Sequence, residues 1–298
     1  MSGAVVIWSA VLPVVALGNI VAWTLMAVTL HRSSVRLEGR ALQFRWLQLL
    51  LSAGYVFGCA YRSALPVFDV PRIALVQSFL STALVGRSVA TLAELCFVAQ
   101  WALLLRETSR ATGSAFGHFA SRVVVPLIVV AEVCSWYSVL TTSNLGHVYE
   151  ESLWSVATAL IIGGLLATRQ CLGPRGRVTN LWIAMSGMGY LLYLWLVDIP
   201  MYWARWSAAE SAGKVYLSLR EGWLSASGPH VVTYAWDIWR SEMAWMGVYF
   251  SVAVWISIWL VRVPIPVPRA GVAVRQSRRA APPDLVGFGV RLLRRAPP

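Results

Sequence analysis

Of 298 residues, 58% are hydrophobic and 13% are charged, against a charged share of about 25% in soluble domains, so the composition excludes a water-soluble globular protein and points to the membrane. At about 20 apolar residues per crossing, a chain of this length makes a helical bundle with no room for a sizeable soluble domain. The net charge of +12 falls mostly on one side of the apolar runs, which marks membrane orientation and argues against a nucleic-acid partner.

The first apolar run, Val5 to Leu30, precedes every charge in the chain. It lacks the basic start and short core of a cleavable signal, so it is read as a retained span with its N-terminus outside. Arg32, Arg36 and Arg40 then mark an inner connection, and the second span covers Phe44 to Tyr61. An outer connection from Arg62 to Leu84 leads to the third span, Val85 to Arg106, which carries Arg87, Glu94 and Gln100.

Span four, Phe119 to Thr141, contains Glu132 and Pro126. The following run TTSNLGHVYEE has no basic residue and reads as an outer loop, with span five from Ser152 to Thr168. Span six is Val178 to Trp203, with Asp198 near its outer end. A long outer connection, Ala204 to Arg240, contains the amphipathic VYLSLREGWL, suited to the interface plane, and Glu242 to Val261 forms span seven.

The expected fold is therefore all-α: a polytopic bundle of seven transmembrane helices over residues 1–262, N-terminus outside and C-terminus cytoplasmic. A basic, Pro- and Arg-rich cytoplasmic tail follows at 263–298. The inner segments hold 18 of 25 basic residues, which supports this orientation. Composition argues for disorder in the tail, and its VGFGVRLLRR is suited to anionic inner-leaflet lipids. The protein is expected in a plasma or cytoplasmic membrane, with membrane lipids as its first partners.

Intramembrane acids are costly and mark ion, proton or substrate pathways. Arg87 and Glu94 lie seven residues apart, on nearly one helix face. Glu132, on the antiparallel next span, reaches a similar depth with Trp136 one turn on, while Asp198 and Glu242 are shallower, with Tyr202 near Asp198. Glu94, Glu132, Asp198 and Glu242 thus gather in the outer leaflet, with Arg62, Arg87 and Arg240 as candidate counter-charges. The expected site binds a proton or a small polar or cationic ligand through Glu94, Glu132, Asp198, Glu242, Arg87, Arg62, Tyr202 and Trp136.

Two other classes fit the same residues. A membrane enzyme would use Asp198, Glu242 and His147 or His230 on a lipid at the outer interface, and a structural protein would use the acids only to join helices. No HExxH, GxSxG or glycine-rich phosphate loop is present, and Cys59, Cys96, Cys134 and Cys171 form no ligand pattern. No cofactor or metal is expected. The only lysine, Lys214, falls in an outer connection, which excludes a Schiff base within a span.

Overall fold

The computed structural model describes residues 3–33, 39–169 and 172–264. The lipid-binding stretch expected in the tail lies outside them, as does Cys171. The chain is mostly helical. Its long helices are α1 (Gly3–Ser33), α2 (Gly39–Ala64), α3 (Ala83–Thr112), α4 (Ala115–Thr141) and α5 (Leu145–Thr168). α6 (Pro174–Tyr193) runs through a π-helical turn, Leu194–Asp198, into α7 (Ile199–Ser211). After the short α8 (Leu219–Ser227), α9 (Trp236–Val248) runs through a second π-helical turn, Tyr249–Ala253, into α10 (Val254–Leu260).

Five of these segments are long and apolar enough to cross a membrane: α1, α3, α4, α5 and the continuous Gly176–Ser211. The α9–α10 pair makes a sixth if its 41° bend is counted within one span. α2 has the length, but Arg40, Gln43, Arg45, Gln48 and Arg62 make it too polar to qualify on composition. α1 illustrates the membrane character: Ile7, Val14, Leu17 and Leu25 are all exposed, and such an apolar surface is stable in lipid rather than water.

Three helix boundaries differ from expectation. α5 starts at Leu145 rather than Ser152, α7 continues to Ser211 beyond Trp203, and α9 begins at Trp236 ahead of Glu242. In each case polar residues that interrupt the apolar pattern remain helical because their backbone bonds continue along the axis. The long outer connection is correspondingly shorter. Within it, α8 opens on a capping box of Ser218 and Glu221 and seats Gly222 against the backbone of Leu140.

A small sheet covers the end of the bundle where α2 finishes and α3 begins. β1 (Val67–Phe68) pairs antiparallel with β2 (Ile73–Ala74), and β2 pairs parallel with β3 (Val231–Val232). Arg72 takes a positive φ of 69° in the connecting turn, and its guanidinium donates to the carbonyl of Val139 at 2.7 Å. His230 Nε2 accepts from the backbone N–H of Ala83 at 2.9 Å, fixing the start of α3.

Two apolar clusters hold the bundle together. One joins α1, α2 and α9–α10 around Tyr55, Trp239 and Phe250; the other joins α3, α4 and α5 around Val98, Leu105 and Ile128. Each contains a polar pin. Asn19 Nδ2 donates to the carbonyl of Phe250 at 2.7 Å, within the second π-helical turn, where the regular backbone ladder is disturbed. Gln100 Nε2 donates to the carbonyls of Gln48 and Ser257, both at 3.1 Å, and its Oε1 accepts from Ser257 Oγ at 2.6 Å.

Candidate functional site

The site is built on three neighbouring helices. α3 opens on Thr82, whose side chain caps Val85 N–H, and places Arg87, Thr91 and Glu94 along one face. α4 and α5 form a tight antiparallel pair: a Cβ on Gly146 would stand 2.3 Å from the carbonyl oxygen of Cys134. Glycine permits that approach, and it brings Glu150, one turn further along α5, beside Glu132 of α4.

Arg87 is buried, with 5% exposure. Its Nη2 lies 2.5 Å from Glu132 Oε2, 3.0 Å from Glu150 Oε1 and 3.7 Å from Glu94 Oε2. Thr91 Oγ1 donates to Glu132 Oε2 at 2.6 Å and in turn accepts from Trp136 Nε1 at 3.1 Å. On the far side, His147 Nδ1 lies 2.7 Å from Glu150 Oε2, and the His147 ring rests 4.9 Å from that of Tyr202. Glu94, Glu132 and Glu150 each offer an oxygen within 4.8 Å of the others, so three carboxylates surround one guanidinium.

This carboxylate trio has the spacing to surround a metal ion. Glu132 and Glu150 already direct oxygens at Arg87, so a cation there would have to share them. The trio meets a ring of further acids and phenols. Glu151 interacts electrostatically with Glu150 and Asp198, and Asp198 sits beside Tyr193 and within reach of the charges of Glu242 and Arg205.

Glu242 belongs to a second, smaller group. Arg205 Nη2 donates to its Oε1 at 3.1 Å and to Ser241 Oγ at 3.1 Å, while Trp245 Nε1 donates to its Oε2 at 2.7 Å. The Arg205 guanidinium is also held over the rings of Phe68 and Tyr202, at 5.2 and 5.5 Å. Tyr202 therefore touches both groups.

Of the expected counter-charges, Arg87 alone meets the acids. Arg240 lies 3.9 Å from Asp237 with its side chain largely exposed, because α9 starts early enough to place both on a solvent-facing turn. Arg62 turns inward over the Trp245 ring at 5.6 Å and makes no ion pair or hydrogen bond among the described residues. The counter-charge missed from sequence is Arg205, two residues beyond the apolar run that ends at Trp203.

His147, expected only at the outer interface, and Glu150, whose run reads as a loop, both belong to the cluster. Their i, i+3 spacing after Asn144, a residue suited to start a helix, was the available signal. The two histidines considered for enzyme chemistry have separate partners: His147 engages Glu150, and His230 engages Ala83 and Gly228. Comparison with protein-family models, with curated proteins and with solved structures finds no match for this chain.

Proposed function

We propose that the protein is a seven-span membrane protein, N-terminus outside, that binds and carries a proton or a small polar cation through the carboxylates gathered on Arg87. In this reading the sheet end of the bundle faces outward and α2 supplies the crossing that composition alone does not count. The observation that carries it is stoichiometry: Glu94, Glu132 and Glu150 converge on the single guanidinium of Arg87. Three buried carboxylates against one arginine, and at most one further charge at His147 beside Glu150, leave negative charge to neutralise in a low-dielectric setting, which a proton or cation does.

Glu94 is the natural exchangeable member, because its 3.7 Å approach to Arg87 is the longest of the three. Glu132 and Glu150 hold the arginine in place. Asp198 and Glu242 line the route to the surface in this scheme, with Tyr202 between the two groups.

The test is flux into liposomes reconstituted with the full chain, read with an internal pH dye and with a tracer cation. Wild type is expected to conduct. Glu94→Gln, which keeps shape and removes the exchangeable charge, is expected to abolish flux while the unfolding temperature changes little. Wild-type flux in that variant, or no flux in either protein, would overturn the reading. A purely structural clamp is favoured by the direct Arg87–Glu132 contact and by Thr91 bracing it. It predicts the opposite pattern, with stability lost and no transport to lose.

A further inference from the structure

Arg62 is a buried cation that the carboxylate cluster does not use. It lies on the inward stripe of α2 formed by Gln48, Ser52, Tyr55, Cys59 and Arg62, all of them buried, and is itself only 8% exposed. Among the described residues it has no carboxylate or carbonyl partner; the Trp245 ring is its recorded contact. Buried charges in native proteins are paired or hydrogen-bonded as a rule, and the Arg62 nitrogens, unlike Nε and Nη1 of Arg72, are not sealed from solvent. A cation–π contact alone is a weak partner for a guanidinium.

The surroundings say what kind of anion would complete it. From Trp245 an aromatic series descends through Tyr249, at 5.8 Å, and Tyr55, at 5.6 Å, to Phe97, stacked at 4.5 Å. The hydroxyls of Tyr55 and Tyr249 are buried, Tyr55 faces Tyr249 and Cys59, and both rings interact electrostatically with Glu94. The helix register fixes the depth. A Cβ at Gly58 would meet Ala93 and the carbonyl of Val89, and one at Gly54 would meet Cys96. Arg62, one turn above Gly58, therefore stands level with the neighbourhood of Arg87, and Glu94 lies deeper by about 9 Å.

We propose that Arg62 is the anion-binding end of a site for a small organic zwitterion, whose carboxylate meets Arg62 and whose ammonium group meets Glu94, with Trp245, Tyr249 and Tyr55 along its length. This rests on the reading of the carboxylates as cation acceptors and adds the second pole. A bare cation would leave Arg62 unneutralised, and a bare anion would leave the carboxylate excess. A zwitterion of matching length neutralises both, and the two buried phenol groups are placed to hydrogen-bond between the poles. Because Arg62 is on the inward stripe of α2, a soluble molecule entering from the sheet end fits better than a lipid headgroup.

The experiment uses three probes of one chain length, 5-aminovalerate, valerate and pentylammonium, titrated calorimetrically into the full chain in lipid nanodiscs. The zwitterion is expected to bind about tenfold or more tightly than either singly charged probe, the difference one charge-assisted pair makes. Arg62→Gln is expected to reduce 5-aminovalerate to the level of pentylammonium and leave pentylammonium unchanged. Arg62→Lys, which keeps charge but not the forked geometry, should fall between. Equal binding of 5-aminovalerate and pentylammonium, or undiminished 5-aminovalerate binding in Arg62→Gln, would overturn the anion pole while pentylammonium binding kept the cation site standing. Failure of all three probes to bind would overturn the zwitterion proposal, and the flux of Glu94→Gln would judge the carboxylate reading separately.

Discussion

Two buried arginines stand at nearly one height in this bundle, and they are treated in opposite ways. Arg87 on α3 is enclosed by Glu132, Glu150 and Glu94, whereas Arg62 on α2 has the Trp245 ring and, among the described residues, no anion. The first is what a stable fold requires of a buried charge. The second has only a cation–π contact to hold it, so the proposed ligand would supply the anion that the fold does not. Pairing and the lack of it divide the sheet end into a region that holds shape and a region that receives something.

The largest effect that could break this contrast is on Arg87. Arg87→Met would strand Glu132 and Glu150 without their cation and is expected to cost about 3–5 kcal/mol, the usual penalty for removing one partner of a buried pair. The readout is thermal unfolding in detergent. Arg62→Met, which keeps an apolar stem against Trp245, is expected to leave the unfolding temperature unchanged or raised. Equal losses in the two variants would show that Arg62 is also held by the fold, and the distinction would collapse.

A middle-sized effect sharpens the comparison with a region that uses no charge at all. Gln100 ties α2, α3 and α10 through Gln48 and Ser257. Gln100→Ala is expected to cost about 1–3 kcal/mol by leaving buried carbonyls unsatisfied. Its binding of pentylammonium should be unaltered once the protein is folded, because this network belongs to the shape-holding part.

The smallest expected effect concerns the sheet cap. Burial, aided by the Arg72 charge and opposed by the Gly228 carbonyl and Asp69, leaves His230 with a pKa below its ordinary value of 6.5. The fold also uses its unprotonated Nε2 as an acceptor for Ala83 N–H. The unfolded chain therefore takes up a proton more readily than the folded one, so stability is fully present above about pH 6.5 and declines as pH falls through the folded value. The protection factor of the Ala83 amide, corrected for the intrinsic exchange rate at each pH, should fall on acidification across that window, and His230→Asn should flatten the dependence.

The membrane character of the chain was legible in its composition, and Glu94, Glu132 and Arg87 were legible because a charge inside an apolar run has few neutral explanations. Glu150, His147 and Arg205 were not, for one shared reason. Each lies where the apolar pattern has ended but the helix has not, so a window that measures hydrophobicity assigns them to loops. What buries Glu150 and His147 and half-buries Arg205 is tertiary: Gly146 drawing α5 onto α4, and Phe68 and Tyr202 enclosing Arg205. The solitary state of Arg62 was equally beyond the sequence, which offered it as a partner for Glu94; the inward stripe of α2 places it one level higher, over Trp245.

The most direct measurement is infrared difference spectroscopy of the carboxyl groups as pH is cycled across the physiological range, on wild type and Glu94→Gln in lipid. Surplus negative charge around Arg87 predicts a carboxyl that takes up and releases a proton in wild type and a signal that vanishes in the variant. An unchanged signal in Glu94→Gln, or a wild-type spectrum in which no carboxyl exchanges, would contradict the account.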